Sequence, residues 1–326
     1  MKLAVVSITN RCNFKCKMCD IGQKNQASSG LYPNLLGHDE IDPKQWANIF
    51  DTLKVDAVDI VGVEPLLYPR FHGLLSKIYH NRKKRIRLTT NGWHLEKWKS
   101  AIVQYVELTT VSIDGLKETH DRIRGVDGAF DRAFHGLTSL GGNNGWGKRV
   151  RTSFAITPDN VQDMIPFYEL MMGNGIPVIF NHYNYIHPIS CEGNKASPSN
   201  MVYDLNDIDI KQVLKAIKHC KKAAFLPRLT TEKQLDRYYR RPPTTRLKSG
   251  NGCKVLNEAA QGKRFVINSD GTLIPGNRCW ITKEIGNVLD GALPENTKWI
   301  KNIAKDIKKN GFYPPCQRLC CSGKTV

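Results

Sequence analysis

"TNRCNFKCKMCD", residues 9–20, sets Cys12, Cys16 and Cys19 in a C-x3-C-x2-C spacing directly behind the apolar run "KLAVVSIT" of residues 2–9. Three thiols this close suit three corners of a cubane cluster. A [4Fe–4S] cluster takes four ligands, so three cysteines leave one iron open to an external molecule. The competing chemistry is structural zinc, whose tetrahedral site takes a fourth Cys or His nearby. His38 is the nearest candidate and stands in a stretch with no periodicity. Spacing by itself favours the cluster and leaves zinc open.

Outward from this loop the chain alternates. Residues 2–9 read as a first β-strand. "DPKQWANIFDTLK" (42–54) has apolar residues at helical spacing, with Asp42 as N-cap and Pro43 at the first helical position. Strands follow at 55–62, 85–92, 105–115, 150–157 and 176–184, separated by helices at 68–83, near 94–104, after Phe130 and at 162–174. Strands that return parallel through helices need right-handed crossovers, so the predicted class is α/β. In curled sheets of this class chemistry collects at the C-terminal strand ends, and the three-cysteine loop lies just past the first such end. From about residue 188 the texture changes. Residues 187–200 read as a loop, 207–224 as a helix and 240–252 as a linker. Residues 263–277 read as a β-hairpin turned by Asp270-Gly271, and 296–310 as a last helix. The expected division is 1–187, a linker and bridging helix over 188–250, and a cysteine-rich module over 251–326.

Forty per cent of the 326 residues are apolar, enough for a sizeable core, and no apolar run is long enough to span a bilayer. No cleavage-site pattern follows "MKLAVVSITN", so the N-terminus reads as a strand and not a signal peptide, and a cytoplasmic location is expected. In a reducing compartment ten cysteines point to metal or catalytic roles before disulfides. They fall in two groups, Cys12, Cys16 and Cys19 against Cys253, Cys279, Cys316, Cys320 and Cys321, with Cys191 and Cys220 alone. The formal net charge is +18, with basic clusters at 81–87, 236–248 and 301–309. Solvated helix faces account for such clusters, and so does attraction to a polyanion such as an acidic peptide. No nucleic-acid motif accompanies them, and nucleic acid is not an expected partner.

Several motifs together resemble the radical S-adenosylmethionine (radical SAM) family. "TNRCNFKCKMC" resembles its cluster loop, "VGVEPLLYP" (61–69) its GGEP motif, and "TTNG" (89–92), "VSIDG" (111–115) with "HDRIRG" (120–125), and "TPDN" (157–160) its later strand ends, in the family's order. The resemblance covers about residues 1–185 and implies a partial (β/α)6 TIM-like barrel. It implies that Cys12, Cys16 and Cys19 ligate a [4Fe–4S] cluster whose open iron is chelated by SAM. Electron transfer then cleaves SAM to a 5′-deoxyadenosyl radical that takes hydrogen from substrate. Gly62 and Glu64 would help seat the methionine end of SAM. Ser112, Asp114 and Arg124 are candidates for its carboxylate or ribose, against the plainer roles of turn caps and an ion pair. Two departures stand out: Val63 replaces the second Gly of GGEP, and Met18 stands where the family often has an aromatic residue.

The C-terminal hairpin, with "IGNV" (285–288), resembles the SPASM/Twitch extension of the same superfamily, a small cysteine-rich α+β module. That resemblance implies one auxiliary [4Fe–4S] cluster held by Cys253, Cys279, Cys316 and either Cys320 or Cys321, with four-cysteine zinc as the competing content. Cys191 is a candidate hydrogen-atom donor, and Cys220 reads as buried filler. The implied activity is hydrogen abstraction from a C–H bond, with modification of a ribosomally made peptide (crosslink, oxidation or epimerisation) as the leading outcome. Against it, the cluster motif at residue 12 is expected to leave no room for a leader-recognition domain ahead of it. A dehydrogenase or epimerase acting on a carbohydrate or aminocyclitol is the second outcome, and an iron–sulfur sensing protein the non-enzymatic one. Expected partners are SAM, the peptide or small-molecule substrate, and an electron donor such as flavodoxin or ferredoxin.

Overall fold

The computed structural model describes residues 1–19, 40–81, 84–141, 149–182, 205–226, 228–239, 258–259, 261–275 and 285–294, together with 302 and 305. Strands β1 (Leu3–Val6), β2 (Ala57–Ile60), β3 (Arg85–Thr90), β4 (Leu108–Ser112), β5 (Val150–Ile156) and β6 (Val178–His182) pair parallel in that order. Between and after them run α1 (Pro43–Thr52), α2 (Phe71–His80), α3 (Leu95–Tyr105), α4 (Lys117–Arg124), α5 (Ala129–Leu140), α6 (Met164–Gly173), α7 (Asp207–His219) and α8 (Glu232–Tyr239). This is the α/β class that the alternating pattern predicts. The first helix starts as its sequence requires. Asp42 accepts from the Lys44 and Gln45 amides while Gln45 reaches back to the Asp42 amide, and Pro43 opens the helix.

Alternation along the strands sorts the two faces of the sheet. Ala4, Val6, Val58, Ile60, Ile86, Leu88, Val111, Phe154 and Phe180 are buried together with Phe71, Leu74, Leu75, Ile102, Leu137, Met164 and Phe167 of the helices. The opposite face is half-buried and polar, with Asp59, Arg87, Arg151, Ser153 and Asn181 on it. A face sealed by helices and an opposite face of half-buried polar groups fit the inner side of a partial barrel, a lumen and not a second core, in a sheet that does not close between β10 and β7.

Two strands depart from the sequence reading. The helix expected over 207–224 ends instead at His219, and Ala224, its expected last residue, opens β7 (Ala224–Leu226), parallel to β6. Phe225 stacks on Phe180 with ring centroids 5.0 Å apart, and three residues are too few for periodicity to show. The predicted hairpin is present as β8 (Arg264–Ile267) antiparallel to β9 (Thr272–Pro275), with β10 (Gly286–Asn287) beyond. Its first strand pairs parallel with β1, giving one ten-stranded sheet in the order β10-β9-β8-β1-β2-β3-β4-β5-β6-β7. The hairpin therefore extends the sheet directly. Within the basic stretch at 81–87, residues 84–87 are also not a solvated helix face. Lys84 is buried against Asp51 (2.6 Å), Arg85 pairs with Glu107 and Arg87 with Asp59. The last helix, expected over 296–310, is described only at 302 and 305, both helical, and the linker at 240–252 and the loop at 187–200 lie outside the described residues. Among the described residues no helix is long and apolar enough to cross a membrane.

His182, at the end of β6, is buried with Nδ1 2.8 Å from the Tyr239 hydroxyl of α8, and burial pushes its pKa down to about 3. In the unfolded chain the ring takes its proton near pH 6.5, whereas the native ring stays neutral until about pH 3. Stability is therefore full above pH 6.5 and falls as pH drops, by about 1.4 kcal/mol per pH unit for this one proton. Urea unfolding at a series of pH values should show that decline, and His182→Gln should flatten it by one proton's slope.

Candidate functional site

The segment Ser7–Cys19 leaves the end of β1 and is fastened on three sides. The Glu64 amide, beyond β2, donates to the Arg11 carbonyl at 3.0 Å. Asn91, beyond β3, donates through Nδ2 to Asn13 Oδ1 at 2.8 Å. The amides of Lys15 and Lys17 donate to the last carbonyls of α4, those of Arg124 (3.1 Å) and Ile123 (2.9 Å), which satisfies acceptors a helix end leaves open. A turn closed by Cys19 N to Cys16 O, 3.1 Å, carries the last two thiols. Phe14, Cys16 and Ala129 form a small buried cluster, with Cys12, Met18, Cys19 and Trp93 packed against it. Met18 thus packs beside the thiols, as a flexible thioether can.

Two glycines are dictated by close approach. Gly62 has φ +109°, and a Cβ there would lie 2.5 Å from Ser7 Oγ. Gly125, which ends α4 at φ +69°, lies under the loop, and its Cβ would meet the Lys15 carbonyl oxygen at 2.7 Å. Because that neighbour is backbone, Gly125→Ala is expected to cost about 2 kcal/mol in a urea melt and to lower the iron retained by the folded protein.

Glu64 is fully buried, and the protein uses both its carboxylate oxygens. Oε1 accepts from the Leu66 amide (3.0 Å) and Thr90 Oγ1 (2.6 Å), and Oε2 from the Asn91 amide (2.7 Å). Burial pushes its pKa up and these donors oppose it. Glu64 is thus the brace between the ends of β2 and β3. Thr90 and Asn91 belong to a motif the sequence shows, yet their bracing role follows only from the fold.

On the far side stands a buried ion pair. Arg124 Nη2 lies 2.5 Å from Asp114 Oδ2, with the side chains 11% and 1% exposed. Asp114 Oδ1 accepts from the Ala155 amide at 2.8 Å. Arg124 Nη1 lies 3.8 Å from Cys16 Sγ, so the guanidinium joins the end of β4 to the cysteine loop. Asn160, of "TPDN", clamps the same corner by donating to the Asp114 and Ala155 carbonyls. The Asp114 amide donates to His120 Nδ1 at 3.0 Å, which leaves the ring proton on Nε2. Burial holds His120 well below its ordinary pKa. Among the described residues neither His120 Nε2 nor Arg124 Nε has a hydrogen-bond partner. Ser112 is half-buried at the end of β4, two residues before Asp114 on the same face.

Of the residues singled out in the sequence, the fold brings together Cys12, Cys16, Cys19, Gly62, Glu64, Asp114 and Arg124, with Ser112 at the rim of the lumen. Cys191, Cys253, Cys279, Cys316, Cys320 and Cys321 lie outside the described residues, as does His38. Cys220 caps α7 and is buried, its thiol pushed up to about 12.

The donor set fits a cubane. Burial pushes the Cys12 thiol up to about 12 and raises Cys16 as well, while Arg124 opposes the rise at Cys16. Neutral thiols are the resting form of such a site, and metal takes the place of the protons. Among the described residues no three His, Cys, Asp or Glu side chains converge on a point where one ion would sit, whereas a cubane takes each thiolate on a separate iron.

Known proteins resemble this chain. Fe-coproporphyrin III synthase of Methanosarcina barkeri is 29% identical over 191 residues, 56% of this chain and 44% of the relative. This chain spans about two fifths of the length of the curated relatives it matches. Among solved structures, native anSMEcpe with bound AdoMet and Cp18Cys peptide superposes with a TM-score of 0.61 at 18% identity, over 97% of this chain and 85% of that one. Streptococcus suis SuiB bound to precursor peptide SuiA gives 0.53 at 18% identity, over 83% and 58%. These likenesses are of fold. A family model described as the Radical SAM superfamily matches residues 6–171, from the end of β1 into α6 and about half of the chain, so the chain belongs to the Radical SAM superfamily.

Proposed function

We propose that this protein is a radical SAM enzyme that abstracts a hydrogen atom from a C–H bond of a peptide substrate. The observation that carries the reading is the three-thiol loop held over the C-terminal strand ends with Arg124 against Cys16. Cys12, Cys16 and Cys19 would hold a [4Fe–4S] cluster, which with bound SAM supplies a reductively generated 5′-deoxyadenosyl radical. Gly62 lets the strand end approach Ser7 closely, and the backbone that Glu64 fixes would receive the methionine end of SAM. Arg124 Nε is a buried donor that suits the carboxylate of SAM, with Asp114 holding the guanidinium in place and Ser112 beside it. The half-buried lumen would admit substrate and limit water around the reacting centre.

The C-terminal part would be a SPASM/Twitch-type module over residues 251–326, joined to the barrel of residues 1–187 through 188–250. It would hold one auxiliary [4Fe–4S] cluster on Cys253, Cys279, Cys316 and either Cys320 or Cys321, and Cys191 would be a hydrogen-atom donor. A flavodoxin or ferredoxin would supply the electron. Peptide is favoured because two of the similar structures are complexes with peptides and the fold likeness to one of them runs over nearly the whole chain. The name of the M. barkeri relative favours a small molecule instead, which makes that the second reading.

The test is anaerobic reconstitution followed by SAM and a chemical reductant. Release of 5′-deoxyadenosine is expected, and its absence from a fully iron-loaded sample would overturn the enzyme reading. Co-expression with any short open reading frame beside the gene separates the substrates. A peptide that loses two hydrogens, or exchanges one with deuterated solvent, supports the peptide reading, and an unchanged peptide favours the small molecule.

A further inference from the structure

We propose that Arg87 and Arg151, on the lumen face of β3 and β5, form a subsite for an oxyanion, a carboxylate or phosphate carried by the substrate. This rests on the reading that the lumen holds the substrate.

Toward the N-terminal ends of the strands the lumen face carries more positive than negative charge, with Arg87, Arg151 and Arg264 against Asp59. Asp59 of β2 is opposite Arg87 of β3 in the sheet register, and Arg87 grips it with two hydrogen bonds, Nε to Oδ1 at 2.5 Å and Nη2 to Oδ2 at 2.9 Å. That fork uses both oxygens of the carboxylate. Arg151 stands nearby on β5 and donates through Nε to Thr110 Oγ1 of β4 at 2.9 Å. Among the described residues no carboxylate comes within ion-pair distance of it, so its Nη donors remain on offer. Arg264 of β8 also acts on Asp59, but it has its own partner in Glu258 at 3.4 Å. Two guanidiniums thus share one carboxylate in a half-buried place, and burial together with the like charge of Arg87 makes Arg151 harder to keep protonated. Arginine keeps its charge regardless. A guanidinium partly out of water without a counter-charge is costly, and a substrate oxyanion would remove that cost.

Height along the strands limits the substrate. Arg151 precedes Ala155, whose amide holds Asp114, by four residues, and a strand rises about 3.3 Å per residue. The oxyanion would therefore sit on the order of 13 Å below the level of the Asp114–Arg124 pair. A substrate that reaches both levels is extended, as a peptide is, with its acidic group several bonds removed from the carbon that loses hydrogen.

The alternative is that Arg151 only braces Thr110. Phenylglyoxal labelling of the reconstituted holoenzyme, read by peptide mass spectrometry, separates the two. Arg151 should label, and one of two probes, N-acetylglutamate or inorganic phosphate, should slow its labelling about tenfold, with no change at exposed Arg85 on the same sheet. Protection by N-acetylglutamate identifies a carboxylate, protection by phosphate a phosphoryl group, and protection by both a general oxyanion site. Failure of Arg151 to label, lack of protection by either probe, or equal slowing at Arg85 overturns the proposal. Release of 5′-deoxyadenosine by the same unlabelled preparation reports separately on the radical SAM reading.

Discussion

Replacing Cys12, Cys16 and Cys19 together by alanine is expected to abolish 5′-deoxyadenosine formation and to leave about four iron atoms per chain. The reasoning starts from the loop and not from the metal. Its backbone is tied to Glu64 and to the end of α4, and its side to Asn91, none of which involves a sulfur atom. The fold should therefore survive loss of the thiols, with only the small packing contribution of Cys16 removed. Loss of activity then reports on the cluster. Removing an outer-shell partner of a metal ligand costs roughly ten- to a hundredfold in affinity or activity. Removing a ligand costs at least the upper end, so Cys16→Ala alone should lower SAM cleavage by roughly a hundredfold or more. Iron analysis of the triple variant also counts what the C-terminal cysteines hold. About eight remaining atoms would contradict a single auxiliary cluster, and none would leave those cysteines without iron.

What the sequence shows and what it conceals divide along physical lines. Strands β1 to β6 are legible because each is long enough to alternate and each is followed by a helical period, and Asp42 announces α1 through its cap. β7 is not legible, because Ala-Phe-Leu shows one buried ring between two exposed residues and nothing longer. The hairpin is legible from its turn, but its partner is not. Alternation says which face of β8 is buried and says nothing of a pairing with β1 across more than half of the chain. In the site the same division holds. Cysteine spacing identifies the loop, whereas the task of Glu64 depends on Thr90 and Asn91 meeting it from another strand. In the sequence Arg87 is only one charge in a basic cluster. Its meaning comes from Asp59 standing opposite it in register.

Arg124→Met is expected to destabilise the protein by about 3–5 kcal/mol, because it strands the Asp114 carboxylate away from water. Asp114 is 1% exposed, and once the guanidinium is gone its remaining charge-stabilising contact is the Ala155 amide. Asp114→Asn should cost a similar amount from the other side, since Arg124 would keep a buried charge without the carboxylate that pairs with it. The double variant should be less damaged than the sum of the two, because neither buried charge is then left alone. Urea unfolding of the four proteins measures that coupling, and a value near zero would mean that the pair does not hold α4 against β4. Arg124→Lys keeps the charge but loses the fork that spans Asp114 and Cys16, so it should recover part of the stability and little of the iron retention. Asp114 touches no thiol, yet Asp114→Asn should also loosen the cluster. The guanidinium that faces Cys16 stays there only while Asp114 holds its other end, so faster iron loss to a chelator than in wild type is the result that ties the end of β4 to the cysteine loop.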